Sequence, residues 1–263
     1  MLKLSNVNKT FFPNSINERI ALSNIQLELL DGDFVTVIGS NGAGKSTVLN
    51  TIAGKIAPDT GTVDIAGQNV TRMKDFKRAK YVGRVFQDPM AGTAPELTIE
   101  QNMALAERRG MHRGLAFGIT KAKRNRFGDE LAVLELGLET RLSAKVGLLS
   151  GGQRQALSLL MATFSRPKIL LLDEHTAALD PERARLVTDL TKKVVAEQQL
   201  TTLMVTHNMS QALEVGNRLI MMHEGEIILD VSGAEKASMT VDDLLDRFAN
   251  IKDASVSDRT LLQ

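Results

Sequence analysis

The segment Gly39-Ser40-Asn41-Gly42-Ala43-Gly44-Lys45-Ser46 follows the pattern G-x-x-x-x-G-K-[ST], and Thr47 comes next. Glycines at these positions let the backbone curl until successive N–H groups converge, which makes a cradle for an anion. A helix beginning near Lys45 adds the positive end of its dipole beneath the same anion. The Lys45 side chain reaches β- and γ-phosphates, and the Ser46 hydroxyl can ligate Mg²⁺. A second group of residues complements the first. The apolar run Ile169-Leu170-Leu171-Leu172 ends in Asp173-Glu174. A strand buried on both faces delivers its C-terminal end to the edge where doubly wound sheets bind ligands. There Asp173 can hold a metal ion, directly or through water, and Glu174 can polarise an attacking water. A third group, Leu149-Ser150-Gly151-Gly152-Gln153, opens a helical pattern that continues through Arg154-Gln155-Ala156-Leu157. Ser150 is a good N-cap and the two glycines permit close approach, so this is a second anion-binding helix start.

The elements that position these groups alternate between strand and helix. Leu2, Leu4 and Val7 begin an edge-type strand, and Ile20–Leu22 and Ile25–Leu29 follow as two further strand candidates. Asp31-Gly32-Asp33 is a turn. Phe34–Ile38 is a β-branched run that predicts a buried strand leading into the glycine loop. A helix is expected from Lys45 to about Ala53, stopped by Gly54. Thr62–Ile65 and Tyr81–Phe86 read as strands. Between about Thr98 and Gly147 the spacing turns helical, with Leu131, Leu134, Leu138 and Leu142 three or four apart. The basic run Lys121–Arg126 lies in this stretch and reads as a solvated helix face or a contact for lipid headgroups. After Ile169–Leu172, Asp180-Pro181-Glu182 opens a helix with Asp180 as N-cap and Pro181 in the first turn. Leu203–Val205 and Leu219–Met222 are strands, Glu224-Gly225 suggests a hairpin into Glu226–Leu229, and Thr240 caps a last helix to about Phe248. The polar tail after Asp253 should fray. The rhythm predicts a largely parallel sheet with helices on its faces.

Composition narrows the field. The chain has 263 residues, with 43% apolar and 24% charged, which is ordinary globular usage and enough to bury a core. The absence of Cys removes disulfides, thiolate metal sites and thiol nucleophiles. Net charge is +1, from 32 basic and 31 acidic residues, so no global field attracts nucleic acid. No apolar run approaches the ~20 residues that span a bilayer and the start is not a secretion signal. The chain reads as soluble, with any membrane role going through a partner.

In order and spacing, these motifs resemble the ATP-binding cassette (ABC) ATPases from about Leu2 to Leu229. The chain carries a Walker A loop at Gly39–Thr47, a lone Gln87 after a strand, a signature at Leu149–Gln153, a Walker B strand at Ile169–Glu174, then Ala178-Leu179-Asp180, and His207 after the strand Leu203–Val205. The resemblance implies an α/β fold of P-loop NTPase type. Its mostly parallel sheet core would carry an N-terminal antiparallel β subdomain and an inserted α-helical subdomain. Residues 1–98 and 147–230 would form the ATPase core, 99–146 the inserted helices, and 231–263 a C-terminal helix and tail. Implied roles follow residue by residue. Phe11 would stack on adenine, although the Phe11-Phe12 doublet leaves open which ring does so. Ser40, Asn41, Gly42, Ala43, Gly44, Lys45, Ser46 and Thr47 would bind ATP; Ser46, Gln87 and Asp173 would hold Mg²⁺; Glu174, His207 and Gln87 would serve hydrolysis. Ser150, Gly151, Gly152 and Gln153 would cap the γ-phosphate held by a second subunit, in a head-to-tail dimer. Asp180 would either reach across that dimer or simply cap its helix. His175 stands where the family usually has Pro, and Ala177 where Ser is commoner. The string Asp173–Asp180 resembles a prokaryotic importer subgroup, some of whose members look linked to tryptophan-type or other small amino-acid uptake.

With no transmembrane segment, an ABC transporter built on this chain requires a separate integral membrane permease, and indirectly a solute-binding protein. Residues Asp88–Leu97 and the lobe face near Met103 are candidates for the permease contact, on the cytoplasmic side of the membrane. An import role is the leading expectation; the alternatives are an export or lipid-extraction complex, or a non-transport ABC ATPase.

Overall fold

The computed structural model describes residues 1–111 and 118–249; the tail expected after Asp253 lies outside them. In chain order the elements are β1 (Leu2–Phe11), β2 (Arg19–Leu29), β3 (Phe34–Gly39), α1 (Lys45–Ala53), β4 (Thr60–Ile65), β5 (Gln68–Asn69), α2 (Asp75–Arg78), β6 (Val82–Val85), α3 (Ile99–Glu107) and α4 (Lys121–Ala132). There follow α5 (Gly151–Thr163), β7 (Ile169–Asp173), α6 (Pro181–Gln198), β8 (Thr202–Val205), α7 (Met209–Glu214), β9 (Arg218–His223), β10 (Glu226–Ser232), α8 (Gly233–Ser238) and a last helix, α9, over 241–249.

Two sheets organise these elements. An antiparallel sheet runs β2-β1-β4-β5, and a six-stranded sheet runs β10-β9-β3-β8-β7-β6. Within the second, β3, β6, β7, β8 and β9 are parallel, and only the β9–β10 hairpin is antiparallel. Its turn is Glu224-Gly225, both with positive φ (44° and 85°), as a two-residue hairpin of matching twist requires. The register pairs Val37 with Val205 and Val205 with Asp173. The C-terminal ends of β3, β8 and β7 therefore meet at one edge, which is where the chemistry gathers.

β1 is not an edge strand: β2 and β4 pair with it on either side, Leu4 opposite both Leu27 and Val63. Alternation of side chains reports which face is buried and carries no information about whether the backbone edges are paired. The two strands expected over Ile20–Leu29 are one, with an irregularity at Asn24, whose φ is 47°. The Asn8 side chain accepts from Asn24 N–H at 2.7 Å and replaces a ladder bond there.

Of the leucines of the helical stretch, Leu131, Leu134 and Leu138 are buried and Leu142 is partly buried, and not all lie on a helix. α4 ends at Ala132, and Glu135 (φ 56°) and Gly137 (φ 69°) break the chain. Leu134 and Leu138 follow in loop conformation and still pack with Phe127, Leu131 and α5. Burial of each such side chain is worth ~1.5–3 kcal/mol, which holds the loop without helical hydrogen bonds. The basic run Lys121–Arg126 on α4 is largely ion-paired. Arg124 meets Glu100 at 2.6 Å, and Lys123 (2.7 Å) and Arg126 both meet Glu107. It serves as the seam between α3 and α4. Met103 is fully buried, so it offers no surface; among the described residues the lobe instead exposes Leu105, Met111 and Val133.

One short element has a plain purpose. α2 places Arg78, fully buried, so that its guanidinium donates to Thr51 and Ile52 carbonyls at 2.7 and 3.0 Å and to Met73 and Thr71 carbonyls at 2.9 Å each. It adds donors to carbonyls in the last turn of α1, the helix on which the glycine loop rests.

Candidate active site

α1 starts at Lys45 and ends at Ala53. Its N-cap, Gly44, has φ 99°, and a Cβ there would lie 2.5 Å from the Ala21 carbonyl, so glycine is required both by conformation and by the close approach of β2. Lys45 is buried, and its Nζ donates to the Gly39 and Ser40 carbonyls at 2.7 and 3.0 Å. Burial lowers its pKa from the ordinary lysine value, while the charges of Glu174 and Asp173 push it back up. The loop curls around a cavity of about 190 Å³ lined by Asn41–Thr47, Phe11, Arg19, Ala21 and Glu174. Phe11 faces this cavity; Phe12 does not line it, and is 68% exposed with φ 50°. The strand ends at Phe11, and the chirality change at Phe12 turns the second ring away.

At the neighbouring strand end, Glu174 adopts φ 44°, a left-handed conformation that costs a non-glycine residue energy. Its N–H donates to the Val205 carbonyl at 2.9 Å, which fixes the loop against β8. The loop after β8 brings His207 Nδ1 to 3.5 Å from Glu174 Oε2, with the ring largely exposed. Asp173 Oδ2 pairs with Arg84 Nη2 at 2.7 Å, and Arg84 Nη1 donates to Asn50 Oδ1 at 2.7 Å. Arg84 thus ties Asp173 to α1 and was not singled out by motif. The available signal was a charge inside the strand Val82-Gly83-Arg84-Val85; such a residue, mostly buried, needs a partner. Its guanidinium carbon also lies 4.8 Å from the Phe86 ring centroid.

The third group is placed elsewhere. Ser150 caps α5 through a full capping box: its Oγ accepts from Gln153 N–H at 3.3 Å and Gln153 Oε1 accepts from Ser150 N–H at 3.2 Å. Neither Ser150, Gly151, Gly152 nor Gln153 lines the cavity around Lys45. Gln87 is exposed on the loop after β6 and does not line it either. Asp180 caps α6, its carboxylate accepting from Arg183 N–H at 3.1 Å and pairing with the Arg183 Nε at 3.2 Å.

His175, next to Glu174, is buried, with Nε2 3.1 Å from Thr191 Oγ1. Thr191 donates its own proton to the Val187 carbonyl at 2.7 Å, so the imidazole donates to Thr191. Burial pushes the His175 pKa down to about 4 from 6.5. A depressed histidine pKa means the unfolded chain binds the proton first, so stability is full above pH 6.5 and is lost as the pH falls towards 4. The linked loss is about 3 kcal/mol. His175→Gln should flatten the urea-unfolding free energy between pH 6.5 and 4.5 relative to the parent; parallel profiles would rule this source out.

The oxygen donors suit a hard divalent ion. Ser46 is open to the cavity side, and Arg84 occupies one Asp173 oxygen only. One or two protein oxygens with phosphates completing the shell is the usual magnesium arrangement.

A family model described as "ABC transporter" matches residues 22–177. Over 252 residues the chain is 45% identical to the tyrosine transport ATP-binding protein of Clostridioides difficile (strain R20291), covering 94% of this chain and 98% of that protein. It is also similar to a dimeric ATP-binding cassette in a post-hydrolysis state bound to ADP and Pi (33% identity, TM-score 0.75, 88% of this chain and 98% of that one). A further match is the ADP conformation of an ATP-binding cassette of an ABC transporter (25% identity, TM-score 0.77, 95% and 98%). The family match over residues 22–177 and the 45% identity over nearly the whole of both chains place this chain in the ABC transporter family, as an ATP-binding subunit that hydrolyses ATP to drive transport.

Proposed function

We propose that this subunit energises import of an aromatic amino acid through a separate membrane permease fed by a solute-binding protein. The observation that carries the reading is the 45% identity, over nearly the whole of both chains, to a tyrosine transport ATP-binding protein. Among the described residues no helix is long and apolar enough to cross a membrane, so the permease would be a different chain, with this one peripheral on the cytoplasmic face. A groove of about 830 Å³ beside the helical lobe suits that contact. The exposed apolar Phe76, Leu105 and Met111 line it, with Gly92–Ala94 from the segment after Gln87 and a basic rim of Lys77, Lys80 and Arg108. Residues 1–98 and 147–230 would act as the ATPase core and 99–146 as the lobe that carries the groove.

The mechanism follows from the chain's own groups. Phe11 stacks on the adenine, worth ~1–3 kcal/mol. The loop N–H groups of Ser40–Thr47 hold the phosphates, and Lys45 exchanges its two carbonyl partners for β- and γ-phosphate oxygens. Ser46, Asp173 and Gln87 would hold Mg²⁺, which would neutralise charge on the phosphates. Glu174 polarises the attacking water, and His207 steadies Glu174 and the γ-phosphate. Ser150-Gly151-Gly152-Gln153 serve a second copy: they lie outside the cavity of their own chain, and a capped helix N-terminus directed at the neighbour's γ-phosphate makes ATP the adhesive of a homodimer.

The experiment is uptake of labelled tyrosine, tryptophan and phenylalanine by cells that carry the parent gene or its Lys45→Ala variant at the native locus. Uptake of at least one should fall to the background of a deletion strain. Undiminished uptake of all three at low external concentration would exclude the substrate class.

A further inference from the structure

Phe11 and Arg19 are paired directly across the β1–β2 ladder, and both line the cavity formed by Asn41–Thr47 and Glu174. Arg19 Nη2 donates to the Gly42 carbonyl at 2.9 Å. The guanidinium therefore lies against the middle of the phosphate loop, on the side of the cavity that carries the aromatic ring. Gly42 leaves room for it: a Cβ at that position would come within 2.3 Å of the same nitrogen. Two acids near Arg19 have partners of their own, Glu18 accepting from Asn14 N–H at 2.6 Å and Glu226 from Ser23 Oγ at 2.9 Å, and Glu174 lines the same cavity. Arg19 thus brings a permanent charge and a planar fork of donors to a phosphate loop while resting on a neutral carbonyl. Charge-assisted hydrogen bonds to anionic oxygens are about twice as strong as neutral ones, and the side chain is exposed enough to change partner.

We propose that Arg19 is a second cation of the nucleotide site. It leaves the Gly42 carbonyl for the α- and β-phosphate oxygens on the base side of the chain, while Lys45 serves the β–γ end. This rests on the reading that adenine lies on Phe11 with its phosphates in the Gly39–Thr47 loop. Neither the glycine-loop motif nor the aromatic position signals it, because Arg19 lies in a different strand from both.

The test is calorimetric titration of the full chain with ADP, which is not turned over, and with inorganic tripolyphosphate, which has no base or ribose. Arg19→Ala should bind ADP roughly 5- to 30-fold more weakly, the range for losing one charge-assisted contact at an open site. It should weaken tripolyphosphate similarly and make ADP affinity less sensitive to salt, while Arg19→Lys should fall between Ala and the parent. Unchanged or tighter ADP binding by Arg19→Ala would overturn the proposal, as would weaker ADP binding with tripolyphosphate unaffected, which would place the contact on the ribose. Lys45→Ala separates the levels. If it too binds ADP as the parent does, the phosphate site itself is misplaced and the role of Arg19 goes with it; if Lys45→Ala is impaired and Arg19→Ala is not, only the Arg19 role fails.

Discussion

Glu174→Gln is expected to lower ATP turnover by roughly 10²–10⁴-fold, the range for losing a general base, while leaving ATP affinity close to that of the parent. The geometry separates the two effects. On the proposed reading phosphate affinity would be vested in the loop N–H groups and in Lys45, whose Nζ lies on the Gly39 and Ser40 carbonyls. Glu174 lines the same cavity from the end of another strand, with His207 3.5 Å from its Oε2. Glutamine keeps the size and the backbone conformation but cannot take a proton. Because ATP would persist, the variant should accumulate as a nucleotide-dependent dimer, measurable by light scattering behind size exclusion. Full turnover would remove Glu174 from the chemistry. A slow but strictly monomeric ATP-loaded variant would leave Glu174 in place and refute the assignment of Ser150–Gln153 to a neighbour's γ-phosphate.

The second large effect is on binding. Lys45→Ala should weaken ATP and ADP by roughly 10²-fold or more, since two charge-assisted contacts of ~1.5–3 kcal/mol each are lost at a largely buried position. The stabilisation that a saturating nucleotide gives the parent, about 2.7 kcal/mol at a hundred times Kd, should largely vanish from thermal melts of the variant. Its melting point without nucleotide should change much less. The parent lysine is already penalised by burial, as its lowered pKa shows, and is held there by Asp173 and Glu174. An ADP-dependent rise in melting temperature equal to the parent's would show that the phosphates bind elsewhere.

The structure around the candidate site was legible wherever it is local. The loop Gly39–Ser46, the helix from Lys45 to Ala53 and the caps at Ser150, Asp180 and Thr240 all depend on residues within a few positions of one another, with the backbone conformations that glycine, proline and short polar side chains impose. The short apolar runs were legible as strands for the same reason. Sequence alone thus determined a phosphate-binding loop, an acidic strand end and a second capped helix start, and their order along the chain supplied the family. Only the tertiary structure decided which of these meet. The sheet order β10-β9-β3-β8-β7-β6 sets the glycine loop, Glu174 and His207 along one edge and leaves Ser150 outside that cavity. It also decided that Phe11 rather than Phe12 faces the site, that β1 is interior, that Leu134 and Leu138 pack from a loop, and that Arg84 and Arg19 reach Asp173 and Gly42 from other strands. Those outcomes come from pairing and burial between segments far apart in the chain, where the free energy belongs to the contact and neither partner's neighbours encode it.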